Sequence, residues 1–192
     1  AHDTLKKIIL KYPWILYLRV NTNLAPTLNV LYSFDFTKKD IQQIITLAPS
    51  ILAINYQWTL PEKLISLQKM FYLNNHNLAR LITAQPYLLT SSIERNQRSA
   101  DFLSYVVGLD EYQLPALLLR APRISMSSVE MLQRCWGVLT KLYGFTPKIA
   151  RTLIIRYPTL LSLQLVKNVK DRLVLFSSTL QVPSFPSEYV QN

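Results

Sequence analysis

The sequence has little glycine, one cysteine and two histidines among its 192 residues. Three glycines are too few for a glycine-rich phosphate loop, and no motif of that kind is present. The single cysteine, Cys135, excludes an internal disulfide and a cysteine-rich metal cluster, and it suits a reducing compartment. His2 and His76 lie far apart without a cysteine or carboxylate at ligand spacing, so we expect no metal site and no cofactor.

Patterns typical of strands, catalytic sites and membrane spans are also missing. No segment alternates apolar and polar residues, and no nucleophile motif is present. The pair Asp110-Glu111 is typical of a helix start rather than of catalytic carboxylates. Residues 41–61 carry no charge, but Pro49 interrupts them and the repeat described next accounts for them. The sequence therefore predicts neither an enzyme nor a membrane protein.

What the chain does have is a repeat. Five prolines follow one another at intervals of 36, 37, 36 and 36 residues: Pro13, Pro49, Pro86, Pro122 and Pro158. Ile or Leu stands two residues after each proline, and a pair of aliphatic residues stands five and four residues before it. A fixed period carried by apolar residues indicates a solenoid of stacked helical units.

The first half of each unit is predicted to be a helix that ends at the proline. Twelve residues before four of the prolines stand side chains that cap helix starts: Thr37, Asn74, Asp110 and Thr146. Each is preceded by an apolar residue suited to pack on the first turn: Phe36, Leu73, Leu109 and Phe145. Because proline disfavours helical geometry in the residue before it, the helix should stop there.

The second half of each unit is predicted to be a brief apolar turn followed by a longer helix. The apolar spacing predicts such helices at Ile93–Val107, Val129–Tyr143 and Leu165–Phe176. Gly108 and Gly144 follow two of them, where a left-handed residue is wanted.

The fold expected is therefore all-α, a right- or left-handed α-solenoid of about five units of 36 residues. Residues 1–180 should form a single repeat array. Residues 181–192, with Pro183 and Pro186, should form an extended tail. Since the chain starts at Ala1 without an initiator Met, we expect a longer precursor or a trimmed chain.

These units resemble the repeats of the mitochondrial transcription termination factor family, the mTERF repeats. The resemblance rests on five in-register copies of Pro-x-(Ile/Leu)-(Ile/Leu), each after a capped helix, and on the joint from Tyr143 to Pro147. It runs from Ala1 to about Phe176, and it departs at Ser125, where other units have an aliphatic residue. It implies a superhelix of three-helix units in mitochondria, or alternatively chloroplasts. It also implies binding of double-stranded DNA or structured RNA along a basic inner surface, without catalysis.

The charge balance favours a nucleic-acid partner independently. The chain has 21 Lys and Arg against 11 Asp and Glu, a net charge of +10, although acidic proteins and lipids also attract basic chains. Basic residues recur at repeat positions, where stacking would align them into ridges. Twelve residues after the proline lie three that we call the basic ladder: Arg98, Arg134 and Lys170.

Other candidate nucleic-acid-binding residues occupy neighbouring repeat positions. Arg95 and Lys167 lie nine residues after a proline. Lys11, Arg120 and Arg156 lie two residues before one, and Arg123 lies directly after one. The alternative interpretation is an ordinary solvated helix surface, and the first two units have Ala25 and Pro61 at the ladder position.

Aromatic residues cluster around the prolines. The set is Tyr12, Trp14, Tyr17, Tyr56, Trp58, Tyr87 and Tyr157. They could stack on unpaired bases. The interpretation we prefer is that these side chains fill gaps between adjacent units. Trp136 is predicted to lie in the core.

The preferred hypothesis is an organellar protein that binds structured RNA through a basic concave face, for example ribosomal RNA as part of an organellar ribosome with its proteins as neighbours. A five-unit array is short for wrapping a long duplex, which favours RNA. One alternative is a double-stranded-DNA-binding factor in transcription termination or regulation. A second is a protein-binding helical scaffold.

Overall fold

The computed structural model describes residues 2–161 of the chain. Several predictions concern residues outside this range and stay predictions. They are the helix Leu165–Phe176, the ladder residue Lys170, its neighbour Lys167, the end of the repeat array at residue 180, and the tail 181–192. None of the helices in the described range is long and apolar enough to cross a membrane.

The described chain is built of α-helices joined by short 3-10 and π segments, and it contains no strand. The α-helices are α1 His2–Lys11, α2 Ala25–Ser33, α3 Lys38–Leu47, α4 Thr59–Phe71, α5 Asn75–Ala84, α6 Ile93–Asp101, α7 Gln113–Arg120, α8 Val129–Gly137 and α9 Pro147–Arg156. The 3-10 segments, which we call proline steps, are Pro13–Tyr17, Pro49–Ala53, Pro86–Leu89, Pro122–Met126 and Pro158–Leu161. The all-α prediction is confirmed.

Three of the four predicted helix starts are confirmed by their hydrogen bonds, whereas α7 has Tyr112 as its N-cap residue and begins two residues later than predicted. Thr37 Oγ1 accepts from the Asp40 amide at 3.2 Å, and the Asp40 carboxylate accepts from the Thr37 amide at 2.9 Å, which closes a capping box. Asn74 caps α5 by accepting from the Asn77 amide at 2.8 Å, and Thr146 caps α9 by accepting from the Ile149 amide at 3.4 Å. Asp110 Oδ1 accepts from the Gln113 amide at 2.7 Å, at the residue where α7 begins.

The prolines end the first helix of every unit in the same geometry. The residues before them have φ angles between −145° and −130°, outside the helical range: Tyr12, Ala48, Gln85, Ala121 and Tyr157. The proline then starts a 3-10 step, where its missing amide hydrogen costs no bond. Ser125, which departs from the repeat pattern, is buried in its step and donates to the Pro122 carbonyl at 2.6 Å.

Two of the second helices, α6 and α8, end in π turns before a left-handed glycine, whereas α4 ends at the left-handed Tyr72. Phe102–Val106 extends α6 and Val138–Leu142 extends α8, while the π segment Val20–Leu24 leads into α2. Gly108 at φ +80° and Gly144 at φ +67° adopt the conformation that residues with a Cβ avoid. The chain thereby turns into the first helix of the next unit, as predicted.

The units stack so that like elements contact like elements. The first helices α1, α3, α5 and α7 form one row, and the second helices α2, α4, α6 and α8 form another. Between adjacent units the proline steps also touch, for example Pro13–Tyr17 with Pro49–Ala53. Residues five before and two after the prolines supply much of the core: Ile44, Leu81, Leu117, Ile51, Leu88 and Ile124.

We expect Leu118→Asp to lower the free energy of unfolding by more than about 3 kcal/mol, because it places an unpaired carboxylate in the core. Leu118 is fully buried on α7. Ala116→Asp, exposed on the same helix, is the matched control and should change stability little. Urea denaturation followed by circular dichroism measures both. Equal transitions in the two variants would show that the register of the fourth unit is wrong.

Candidate nucleic-acid interface

The two described members of the basic ladder lie on adjacent second helices. Arg98 on α6 and Arg134 on α8 are exposed, and α6 packs against α8. Neither guanidinium donates a hydrogen bond to another residue in the described range. As far as residues 2–161 are concerned, both cations can therefore reach a partner.

The ladder surface also carries acidic residues. Glu94 and Glu130 lie in the first turns of α6 and α8. A hydrogen bond from its own backbone amide, then one from the Ser128 hydroxyl, lowers the pKa of Glu130, and the positive charges of Arg98 and Arg95 lower it further. Part of the positive charge at this surface is thus offset by carboxylates.

Arg95 has a contact within the array as well. Its Nη2 donates to the Met126 carbonyl at 2.9 Å, which ties α6 to the proline step of the following unit. Its side chain is still exposed, so the guanidinium remains at the surface. The sequence pattern gave Arg95 no role between units.

Basic residues two positions before the prolines connect consecutive first helices. Lys11 Nζ donates to the Thr46 carbonyl at 3.1 Å, in the last turn of α3. Arg120 donates to two carbonyls in the last turn of α9, that of Ile155 at 2.7 Å and that of Arg156 at 3.0 Å. The last carbonyls of a helix lack intrahelical donors and carry partial negative charge, so cations stabilise them.

One continuous edge of the array is formed by the residues two before and one after each proline, and we call it the proline edge. Its described members are Lys11, Trp14, Leu47, Ser50, Ala84, Tyr87, Arg120, Arg123, Arg156 and Thr159. Besides the Lys11 and Arg120 contacts, Tyr87 Oη donates to the Leu47 carbonyl of the preceding unit at 3.2 Å. No acidic residue occupies these ten positions. Four of the ten are basic, and they lie in the first, fourth and fifth units.

The aromatic residues around the prolines mostly do not fill gaps. Five side chains are 52–78% exposed: Trp14, Tyr17, Trp58, Tyr87 and Tyr157. The gap-filling prediction is therefore wrong for these five, although the Tyr87 hydroxyl does bridge two units. Tyr12 and Tyr56 are half-buried, and Trp136 is half-buried against the core rather than inside it. The repeat period and the hydropathy of the sequence do not show whether an aromatic side chain lies on an exposed edge or is buried between two units.

The comparison with protein families agrees with this architecture. The family model described as mTERF matches residues 1–70 and 54–185, which together span nearly the whole chain. The chain belongs to the mTERF family. Proteins of this family are organellar, and they generally bind nucleic acid without catalysing a reaction. No individual curated protein matches the chain significantly.

The mTERF array contains a buried polar row that the sequence analysis missed. Its members stand 36 residues apart on the second helices: Thr27, Lys63, Ser99 and Cys135. Lys63 Nζ donates to the Ser91 carbonyl, and Ser99 Oγ donates to the Ser127 carbonyl at 2.9 Å, in each case 28 residues further along the chain. Lys63 and Ser99 therefore each tie a second helix to the end of the next proline step, whereas the buried Thr27 hydroxyl has no hydrogen-bond partner among residues 2–161. The signal in the sequence is a hydrophilic residue recurring on an apolar helix face at the repeat period.

Burial changes the ionisation of two members of this row. It lowers the pKa of Lys63, an effect that the negative charge of Glu94 opposes. It raises the pKa of the Cys135 thiol to about 11, so the thiolate needed for nucleophilic chemistry is scarce at neutral pH. In the described range, no group of three or more potential ligands could hold a metal ion.

Arg120→Met in this mTERF array should lower the free energy of unfolding by about 1–2 kcal/mol, because two carbonyls at the end of α9 lose a charged donor. Arg123→Met is the matched control, since Arg123 is exposed and donates to no residue in the described range. Urea denaturation measures both variants. A loss of equal size in the two would assign the effect to net charge and contradict the proposed connection.

Lys63 should make stability depend on pH in the alkaline range. In the folded chain the pKa of Lys63 is lower than its ordinary value of 10.5. At pH values between the folded pKa and 10.5, the unfolded chain therefore binds more protons than the folded chain. The free energy of unfolding should therefore rise with pH through that window, and the gain should be absent in Lys63→Met. Urea titrations of both proteins from about pH 8 to 10.5 give the difference, in which tyrosine ionisation cancels. A constant difference would contradict the lowered pKa.

Proposed function

We propose that this mTERF protein binds structured RNA, and that the basic ladder holds the phosphates. Ribosomal RNA within an organelle is the target class that we favour. The observation that carries the proposal is the exposure of Arg98 and Arg134 at equivalent positions on helices that pack together. Lys170 would continue the ladder one unit further.

The ladder suits a folded phosphate backbone for two reasons. Its arginines stand on helices that pack together, so the spacing of their backbone attachment points is fixed before binding. Arginine also donates two parallel hydrogen bonds to a phosphate, which holds both position and orientation. Such contacts recognise the shape of a folded RNA rather than its base sequence.

We favour RNA over duplex DNA because the basic ladder occupies three successive units and is absent from the two before them. The five units predicted offer three ladder positions, because Ala25 and Pro61 stand at the position in the first two. A short ladder fits one RNA helix or junction better than an extended duplex site. Binding through the concave face belongs to the same proposal.

Replacing Arg98, Arg134 and Lys170 together by Gln should weaken binding of a hairpin RNA about tenfold to a hundredfold at low salt. The slope of log affinity against log salt should fall by about 2 to 3, because fewer counterions are released. A fluorescence anisotropy titration over a salt series measures both quantities. Circular dichroism should show unchanged helicity.

The matched control replaces Lys38, Lys39 and Lys148 by Gln. These lysines are exposed on the first turns of α3 and α9, outside the ladder and the proline edge, and their loss changes net charge equally. The control should keep most of the affinity. Equal weakening in the two triple variants would contradict a specific role for the ladder.

A DNA duplex of equal length, titrated alongside the hairpin, tests the RNA assignment. Tighter binding of the hairpin supports association with ribosomal RNA or transcripts. Equal or tighter binding of the duplex would overturn the RNA assignment in favour of transcription termination or regulation on DNA. Absence of salt-dependent binding to both would favour a protein-binding scaffold.

A further inference from the structure

We propose that the proline edge is a second nucleic-acid surface, which binds an unpaired stretch of strand by stacking its bases on exposed aromatic rings. The inference rests on the proposed function in taking nucleic acid as the partner. The inference adds a second site, with single-stranded RNA as its ligand, on structural elements other than those that carry the basic ladder. The ladder lies on the second helices, whereas the edge follows the ends of the first helices and the starts of the proline steps.

Aromatic rings are presented along this edge in units that alternate along the chain. Trp14 is 65% exposed in the first unit and Tyr87 is 53% exposed in the third. In the fifth unit Tyr157, 52% exposed, lies beside the edge residue Arg156. The Tyr87 ring is anchored, because its hydroxyl donates to the Leu47 carbonyl of the neighbouring unit. An anchored ring loses little conformational entropy when a base stacks on it. Every base has a π face, so such a surface accepts many sequences.

Arginine takes part in the same surface. The Arg156 guanidinium lies over the Tyr157 ring, 5.7 Å from its centroid. A planar cation already stacked on a ring can receive a base on its other face and reach the adjoining phosphate. Arg123, exposed directly after the fourth proline, supplies another cation between Tyr87 and Arg156 along the array.

The charge of the edge fits a strand whose phosphates follow it. In the row of first helices, the described acidic residues Asp40, Asp110 and Glu111 lie near the helix starts. The proline edge lies at the opposite ends of these helices, so these carboxylates are away from it. The ladder surface, by contrast, contains Glu94 and Glu130. A surface that combines cations, free of neighbouring carboxylates, with stacking rings is the arrangement that binds single strands without sequence preference.

The test compares a 12-nucleotide oligouridine with an abasic oligomer of the same length, which keeps the phosphates and lacks the bases. The wild-type protein should bind the oligouridine at least about tenfold more tightly. The triple variant Trp14→Leu, Tyr87→Leu, Tyr157→Leu should lose that preference while its affinity for the abasic oligomer changes little. Tyr32, Tyr105 and Tyr112, exposed outside the edge, form the matched control when replaced by Leu. The control should keep the preference.

A crosslinking measurement covers the case in which the triple variant does not fold. Oligomers with 5-iodouridine, photolysed on the wild-type protein, should attach to peptides containing Trp14, Tyr87 or Tyr157. Attachment confined to peptides with Tyr105 or Tyr112 would overturn the proposal. Equal wild-type affinity for the oligouridine and the abasic oligomer would overturn it too.

A hairpin titration on the same proteins separates this inference from the proposed function. The edge variant should retain most of its affinity for the hairpin, since the ladder is intact. If the wild-type protein binds the hairpin and ignores the oligouridine, the edge inference fails and the proposed function stands. If it binds neither, both fail. If an acidic peptide competes at the edge and oligouridine does not, the edge is a protein-binding surface and the inference is wrong.

Discussion

The structure depends on one steric constraint, the exclusion of helical geometry from the residue before proline. In each unit this residue takes a φ angle near −135°, which stops the first helix and directs the chain into a 3-10 step. The residue two positions after the proline then enters the core, as Ile51 and Leu88 do. Because the constraint recurs at an almost constant period, the steps, the first helices and the second helices fall into register from unit to unit.

Ending a helix so often leaves many carbonyls and amides without intrahelical partners, and their satisfaction shapes the charge distribution. Helix starts are capped by Thr, Asn, Asp and Ser side chains, and helix ends receive donors from the preceding unit. Carboxylates such as Asp40 lie near helix starts, and cations such as Lys11 and Arg120 lie at the ends of first helices. The acid-free proline edge follows from this arrangement. A basic residue such as Arg120 thus stabilises the stack and contributes surface charge at once.

Much of the fold could be predicted from the sequence because it depends on local chemistry. Thr37 and Asn74 cap helices, Gly108 and Gly144 are left-handed, and the prolines begin short steps, each for reasons contained within a few residues. The candidate site was less predictable. Lys63 and Ser99 could not be recognised as donors to the next unit, because their acceptors lie 28 residues away. The exposure of Trp58 likewise depends on what packs beside it.

The sequence by itself determined the period, the helix boundaries, the positive charge and, through the repeat pattern, the mTERF family. These follow from residue type and spacing along one chain. Only the tertiary structure decided which basic residues contact neighbouring units, as Lys11, Arg95 and Arg120 do, and which are exposed without a hydrogen bond to any residue of the range 2–161, as Arg98 and Arg134 are. The physical reason is that a side chain at a given repeat position either reaches a carbonyl of the next unit or does not. That depends on how the units stack and on the length of the side chain, neither of which the repeat period contains.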